Sequence, residues 1–240
     1  MILEQSEVEE VVKPDVASLM EQRMHEILDP SNPSALLVID MQEDFVGNEG
    51  KAVKLGHNIA PMQAIIPKIK KVQDMFYALG KPVVRTRTFE DVERRNVAGR
   101  DRALFLEKVV GPGDEEYGVF CLPGTKGAQL AMASRAEDII IDKTRGSAVT
   151  SELEAYVKEN GIKTIYVTGV KTQRCVRATV NDLYDKLNVH VVVLEDCIAT
   201  DDDDQQRINI QEMRRFYPPV ITSDRLAQEW ESAIEQNTAS

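Results

Sequence analysis

Histidine, cysteine and long apolar runs are all scarce in this 240-residue sequence, and each shortage excludes a class of protein. No apolar run reaches the roughly 18 residues of a membrane-spanning helix, so we expect no membrane partner. Three cysteines are too few and too odd in number for a disulfide framework, which predicts reduced thiols. The histidines (His25, His57 and His190) lack the spacing of a metal site. The sequence therefore predicts neither a metal ion nor another cofactor.

Positive charge is also in short supply. The chain has 29 lysines and arginines against 40 aspartates and glutamates, a net charge of −11. Nucleic-acid binding needs a basic face, so we expect a small-molecule partner instead. The first residues lack the basic and apolar segments of a secretory signal, so we expect a cytoplasmic protein. Acidic residues favour helix N-termini, and the acidic run 201–204 is expected to form a solvated loop and helix start.

Short apolar segments alternate with amphipathic segments along most of the chain. The apolar segments, which predict strands, are 35–40, 83–84, 139–141, 164–168, 190–194 and 220–222. Helical spacing of the apolar residues between them predicts helices on both faces of a sheet. We therefore predict an α/β fold, a three-layer α/β/α arrangement with a central, mostly parallel six-stranded sheet. Residues 31–240 are expected to form one domain, and residues 1–30 a helical extension with a helix at 16–28.

One long stretch, residues 88–126, breaks this alternation and contains several glycines and prolines. Irregular stretches of this length in a compact domain are usually functional. We expect a lid or a substrate-specificity loop there, with a short helix near residues 101–109.

Three reactive side chains follow three different predicted strands. Asp40 ends the first strand, Lys143 comes two residues after the third, and Cys175 lies six residues after the fourth, at a helix start. Ligands of open α/β sheets bind beyond the carboxyl ends of the strands, so these residues are expected to meet. A helix N-terminus and a nearby cation lower the pKa of a thiol, which would activate Cys175 as a nucleophile. Asp40 would then transfer protons, and backbone N–H groups of the turn would hold an oxyanion.

Position alone leaves structural alternatives open for each of these residues. Asp40 could only cap a turn after its strand, Lys143 could be an ordinary surface lysine, and Cys175 could be an inert core cysteine. Cys197 is a rival nucleophile, because it also follows a strand.

The residues around the three positions favour the catalytic interpretation. Segments 38–45 (VIDMQEDF), 142–148 (DKTRGSA) and 168–179 (TGVKTQRCVRAT) resemble the three motifs of the isochorismatase-like cysteine hydrolase family. Segments 123–128 (PGTKGA) and 195–197 (EDC) are similar to weaker landmarks of that family. The resemblance runs in order from about Ser34 to Ser223, and by it the chain is identified as a member of the family.

Membership implies a catalytic triad, which maps onto Asp40, Lys143 and Cys175. It also implies a non-proline cis peptide in the nucleophile turn, here between Val170 and Lys171. The backbone N–H groups of Lys171 and Cys175 would then form the oxyanion hole. Cys197 occupies a structural position in the family, which weakens its claim as the nucleophile.

Departures from the family pattern bear on the substrate. Members that hydrolyse nicotinamide carry a metal site of an aspartate and histidines just after the second strand, but segment 85–92 (RTRTFEDV) has no histidine. The retained Cys175 favours acyl transfer over cleavage of a vinyl ether. The resemblance thus implies metal-free hydrolysis of a C–N bond in a small amide, ureido or carbamoyl compound. Two alternatives stay open, an isochorismatase that hydrolyses the vinyl ether of isochorismate and a non-catalytic interaction protein on the same fold.

Arginines are locally in excess between residues 85 and 102, and two more flank the triad. An arginine excess in an acidic protein suggests an anionic substrate, although a salt-bridged surface loop would give the same pattern. The candidate substrate contacts are Phe45, Arg87, Arg145 and Arg174. We also expect a homo-oligomer, either a dimer or a tetramer.

Overall fold

A parallel sheet of six strands forms the centre of the protein. The structure, a computed structural model, describes residues 15–89, 120–217 and 219–238. The strands are β1 Ser34–Ile39, β2 Val83–Thr88, β3 Ile139–Lys143, β4 Thr164–Val170, β5 His190–Ala199 and β6 Val220–Ile221. Their order is β3-β2-β1-β4-β5-β6, and every neighbouring pair is parallel. The prediction of a central parallel sheet of six strands is confirmed.

Helices cover both faces of the sheet. They are α1 Val16–Leu28, α2 Glu43–Val46, α3 Lys51–Lys54, α4 Ala60–Ala64, α5 Ile66–Ala78, α6 Ser151–Glu159, α7 Arg177–Lys186, α8 Asp203–Phe216 and α9 Ser223–Thr238. All residues of β1 are buried, as expected for a parallel strand that is covered on both sides. Its even residues, Leu36 and Val38, pack with α5 and α9, whereas Leu37 and Ile39 pack with α6 and α7. This alternation confirms the three-layer α/β/α arrangement.

Helix α1 lies against α9 on the outside of the first helical layer. The buried Trp230 of α9 donates a hydrogen bond from Nε1 to the carbonyl of Leu28 at 2.7 Å. Leu28 is fully buried, but Met20, which the helical spacing places on the same face, is 67% exposed. The division of the chain at residue 30 stays a prediction. No helix among the described residues is long and apolar enough to cross a membrane.

The predicted lid falls largely outside the described residues, including the predicted helix at 101–109 and the arginines between 94 and 102. Its described end is irregular, with one short 3-10 helix at Lys126–Ala128. The buried carboxylate of Asp44 ties this end to the first helices, because it accepts hydrogen bonds from the backbone N–H of Cys121 at 2.6 Å and of Lys51 at 3.0 Å. The loop after Phe120 is thereby fixed beside the carboxyl end of β1.

The acidic run 201–204 forms a helix start, as predicted. The side chain of Asp202 caps α8 by accepting a hydrogen bond from the N–H of Gln205 at 2.8 Å, and Asp203 and Asp204 lie in the first turn. Asp201 differs from the prediction of a solvated residue. Its side chain is only 11% exposed, and it has three polar partners near the nucleophile turn.

Candidate active site

The three predicted triad residues all lie at the carboxyl edge of the sheet. Asp40 directly follows β1 and has a φ of 51°. Lys143 is the last residue of β3, and Cys175 lies in a single π-helical turn, Thr172–Val176, between β4 and α7. Strand β2 separates β3 from β1, so the long side chain of Lys143 has to reach across β2 towards Asp40.

Lys143 and Asp40 form a buried ion pair. The distance from Nζ of Lys143 to Oδ2 of Asp40 is 2.7 Å, and the side chains are 1% and 0% exposed. Nζ also donates hydrogen bonds to the carbonyls of Arg145 at 3.0 Å and Gly146 at 3.2 Å. The hydroxyl of Thr86 on β2 donates to Oδ1 of Asp40 at 2.7 Å. Both charged groups are therefore held in place by residues of β2 and of the loop after β3.

The two oxygens of Asp40 differ in their surroundings. Oδ1 accepts the hydrogen bond from Thr86, whereas Oδ2 has no hydrogen bond of normal geometry within the described part of the chain. Oδ2 lies 2.7 Å from the Lys143 ammonium and is the oxygen that takes part in the ion pair. A lone pair of Oδ2 is thus available to accept a proton from a neighbouring group.

Lys143 is held in its charged form. Burial by itself lowers the pKa of this ammonium, because a charge is poorly solvated in the protein interior. The negative charge of Asp40 and the sulfur of Cys175 act in the opposite direction and outweigh burial, so the pKa of Lys143 is raised above its ordinary value. The Lys143 ammonium consequently stays charged across the neutral pH range.

The thiol of Cys175 has a raised pKa, which contradicts the sequence-based expectation of an activated thiolate. Burial and the Asp40 carboxylate raise the pKa of Cys175 to about 12, although the charges of Lys143 and Arg174 lower it. The expectation considered only the helix start and the cation, and it omitted the cost of burying a thiolate beside a carboxylate. At rest, Cys175 is therefore a protonated thiol next to a carboxylate.

The nucleophile turn has the backbone conformation that the family resemblance implies. The peptide bond between Val170 and Lys171 is cis. Gly169, just before it, has a φ of 112°, and a Cβ at this position would lie 2.1 Å from the carbonyl oxygen of Ile39. Only glycine therefore allows β4 to approach β1 this closely. The roles of the Lys171 and Cys175 N–H groups as an oxyanion hole stay predictions.

The arginine hypothesis changes once the structure is considered. Arg85 is buried in the sheet and pairs with Asp138 at 2.6 Å, with side-chain exposures of 1% and 0%. Arg87 makes two hydrogen bonds to Asp142 on the neighbouring strand, at 2.7 and 2.9 Å. The local excess of arginine at these two positions is thus balanced within the sheet, and it does not by itself point to an anionic ligand.

Of the remaining candidate contacts, Phe45 stacks on Phe120 with the ring centroids 5.3 Å apart. Arg145 and Arg174 are exposed. Described residues that include Phe89, Lys143 and Arg145 line a surface cavity of about 700 Å³. Asp40 and Cys175 are not among its lining residues, so this cavity adjoins the triad rather than contains it.

Sequence reasoning missed a second polar group beside the nucleophile turn, which we call the Asp201 cluster: Lys171, Asp201 and His57. The Asp201 carboxylate lies 2.9 Å from Nζ of Lys171 and 2.5 Å from Nδ1 of His57. It also accepts a hydrogen bond from the hydroxyl of Thr200 at 2.8 Å. Although burial opposes ionisation, the Lys171 ammonium and the Thr200 hydroxyl lower the pKa of Asp201 to about 2. The sequence pattern gave no signal for Asp201, because it predicted the end of β5 at residue 194, whereas the strand continues to Ala199 and so brings Asp201 to the edge of the triad.

Side chains suited to a metal ion come together at only one place in the described part of the chain, and that place is remote from the triad residues in the fold. Glu21 and His25 of α1 meet Glu229 of α9 on the outer surface. The Arg225 guanidinium contacts both glutamates and supplies the positive charge that they need. In the nicotinamidase position after β2, the sequence supplies no histidine, so the donor set of that site does not fit this chain.

Comparison with known proteins agrees with this architecture. A protein from Arabidopsis thaliana described as a probable inactive nicotinamidase is 30% identical over 187 residues, which cover 76% of this chain and 89% of that protein. The ureidoacrylate amidohydrolase RutB from Stutzerimonas stutzeri is 24% identical over 220 residues, which cover 88% of each chain.

The fold also matches solved structures. The crystal structure of a cysteine hydrolase from Pseudomonas syringae pv. phaseolicola superimposes with a TM-score of 0.69 at 23% identity, covering 85% of this chain and 96% of that chain. The family model for the isochorismatase domain matches residues 34–225, which include all six strands and all three triad positions. The chain belongs to the isochorismatase family and is a hydrolase.

Proposed function

We propose that this protein is a metal-independent cysteine amidohydrolase that cleaves a C–N bond of a small, anionic amide, ureido or carbamoyl compound. One observation carries the proposal: a protonated thiol at Cys175 lies beside the buried Asp40–Lys143 ion pair. A carboxylate next to a thiol is an arrangement for general-base catalysis, because it can take the proton as the sulfur attacks.

In the first half of the reaction, Sγ of Cys175 attacks the carbonyl carbon while Asp40 takes the thiol proton. The carbonyl oxygen becomes an oxyanion, for which the N–H groups of Lys171 and Cys175 are the candidate donors; one such donor is worth roughly 3 kcal/mol. Asp40 then returns the proton to the leaving nitrogen, the C–N bond breaks, and the amine or ammonia departs. The product left on the enzyme is a thioester of Cys175.

In the second half, Asp40 takes a proton from a water molecule that attacks the thioester. The second tetrahedral intermediate collapses, and the sulfur leaves and regains the proton from Asp40. The acid product departs, and the resting thiol is restored. The Lys143 ammonium stabilises the Asp40 carboxylate before each proton transfer and the negative charge on the sulfur as it attacks, so the raised pKa of Cys175 is compatible with catalysis.

The relatives support the reaction class. The Stutzerimonas relative is named as an amidohydrolase of a ureido compound. The Arabidopsis relative is named as a probable inactive nicotinamidase. In this chain, the absence of histidine after β2 argues against a nicotinamidase metal site. The intact set of Asp40, Lys143 and Cys175 favours activity over a non-catalytic role.

The test compares Cys175→Ala with the wild-type protein on a panel of amides and ureido compounds and on isochorismate. We expect the variant to lose turnover almost completely, and acid-quenched wild-type protein to carry the acyl group as a mass adduct on Cys175. The matched control is Cys197→Ala, which removes a buried cysteine whose pKa burial also raises to about 12 and which should leave activity intact.

Retention of more than about a tenth of the activity by Cys175→Ala, a difference below ~1.4 kcal/mol, would reject covalent catalysis. In that case Asp40 alone would protonate the substrate, as vinyl-ether hydrolysis of isochorismate requires.

A further inference from the structure

The side chain of Lys171 has no part in the reaction steps described above, although its backbone N–H is a candidate oxyanion donor. Its ammonium lies beside the nucleophile turn and is 13% exposed. Within the described residues its one hydrogen-bond partner is the Asp201 carboxylate, at 2.9 Å. A lysine ammonium has three donors, so two of them remain for a ligand.

The Asp201 carboxylate does not contact Lys171 alone. The same carboxylate oxygen, Oδ2, also contacts Nδ1 of His57 at 2.5 Å, while Oδ1 accepts the hydroxyl hydrogen bond of Thr200 at 2.8 Å. The Asp201 carboxylate thus contacts three polar side chains at once. Since the pKa of Asp201 is lowered to about 2, it stays ionised and holds the ammonium in place without satisfying all of its donors.

An aromatic surface lies next to the ammonium. Nζ of Lys171 is 5.9 Å from the ring centroid of Phe120, and that ring stacks on Phe45 with an angle of 10° between the planes. Phe45 lies in α2, shortly after Asp40, and Phe120 lies next to Lys171 of the nucleophile turn. The stacked pair of rings therefore connects these two parts of the site. A flat apolar group that leads from the reaction centre could pack on these rings and present a charged end to Lys171.

We propose that the Lys171 side chain determines specificity by binding a carboxylate of the substrate. This carboxylate would lie about one lysine side chain away from the scissile carbonyl, with a short flat spacer between them. The inference rests on the proposed amide hydrolysis at Cys175. It assigns the preference for an anionic substrate to Lys171 instead of to the arginines of β2. Asp201 competes with the substrate for the ammonium and fixes its position.

The experiment uses N-carbamoyl amino acids and their methyl esters, which differ in the charge of the carboxylate. Ammonia release gives kcat/KM for each member of a pair, and the readout is the ratio of acid to ester. We expect the wild-type protein to prefer the acids. Lys171→Met should lower the ratio at least tenfold, mainly through KM of the acid, whereas Lys171→Arg should keep it within about threefold because the charge is retained.

Two further variants separate recognition from structural support. Asp201→Asn removes the competing charge and should raise the acid-to-ester ratio, whereas a purely structural role would lower the rates of both substrates together. The matched control is Lys158→Met, which removes one exposed positive charge on α6 and should leave the ratio unchanged. If Lys171→Met fails to fold, the acid-to-ester ratio of Asp201→Asn, which we expect to rise, decides the test.

The outcomes distinguish this inference from the proposed function. Equal rates for acids and esters, or an unchanged ratio in Lys171→Met, would overturn the role of Lys171 while covalent hydrolysis at Cys175 stands. A wild-type protein that cleaves no substrate of the panel and forms no adduct on Cys175 would overturn both.

Discussion

Replacing Lys143 by methionine should destabilise the protein more than replacing Asp40 by asparagine, although both changes should abolish activity. In Lys143→Met the Asp40 carboxylate stays fully buried, and among the described residues it keeps the Thr86 hydroxyl and the Cys175 thiol, both neutral, as partners. In Asp40→Asn the Lys143 ammonium keeps the carbonyls of Arg145 and Gly146. The buried carboxylate therefore loses a larger share of its stabilisation than the buried ammonium does.

The expected magnitude follows from the burial of the pair. Breaking a buried ion pair by removing one partner costs about 3–5 kcal/mol, which corresponds to a fall in Tm of roughly 6–20 °C for a chain of this size. The loss of stability in Asp40→Asn should lie at or below the lower end of this range. The double variant Asp40→Asn/Lys143→Met should regain part of the stability, because no uncompensated charge remains in the interior, and it should stay inactive.

The assay is thermal and urea unfolding of the two single variants and the double variant, together with kcat/KM. We expect kcat/KM to fall by about 10²–10⁴-fold in each, because Asp40→Asn removes the proposed general base and Lys143→Met removes the cation that supports it. The control is Arg87→Met, which breaks the exposed pair with Asp142 and should cost no more than about 1 kcal/mol. If Lys143→Met unfolds at the temperature of Arg87→Met, or if Asp40→Asn is the less stable triad variant, this reasoning is refuted.

Three further predictions concern the nucleophile, the metal and the turn. Because burial and Asp40 raise the pKa of Cys175 to about 12, its alkylation by iodoacetamide should be slow at pH 7 and should still accelerate above pH 9; a plateau below pH 8 would show a thiolate at rest. Activity should survive EDTA, and a loss that zinc reverses would reveal a metal site. Gly169→Ala should give little folded protein, since its Cβ would lie 2.1 Å from the Ile39 carbonyl oxygen; a normal yield and Tm would contradict the close approach of β1 and β4.

The sheet and the position of the triad could be predicted from the sequence because both depend on local patterns. Apolar runs such as 35–40 are buried on both faces, and the end of each run marks the edge where ligands bind. That rule is sufficient to bring Asp40, Lys143 and Cys175 to one edge. The burial of the Lys143–Asp40 pair excludes the alternative that Lys143 is an ordinary surface lysine, whereas its catalytic role stays a prediction.

What the sequence did not predict depends on contacts between distant residues. Strand β5 was expected to end near residue 194, but a register shift against β4 lets it continue through Glu195 and Asp196 to Ala199. This extension brings Asp201 to the nucleophile turn and to His57, which is 144 residues away in sequence (201 − 57). Likewise, Arg85 was counted towards ligand binding, because no local pattern shows that its partner is Asp138.

The Lys143–Asp40 pair and the Asp201 cluster are held by different parts of the fold. The Lys143–Asp40 pair is anchored by the sheet through Thr86, whereas His57 and Phe120 lie outside the strands, and Asp201 lies just beyond one. Substitutions at the loop positions can therefore be made without changing the strands that hold the Lys143–Asp40 pair. On the proposed role of Lys171, libraries that randomise positions 57, 120 and 201 should change substrate preference while Asp40 and Lys143, the proposed proton-transfer residues, stay on an unaltered scaffold. Substrate preference and proton transfer would then depend on different positions of the chain, and each could change while the other is kept.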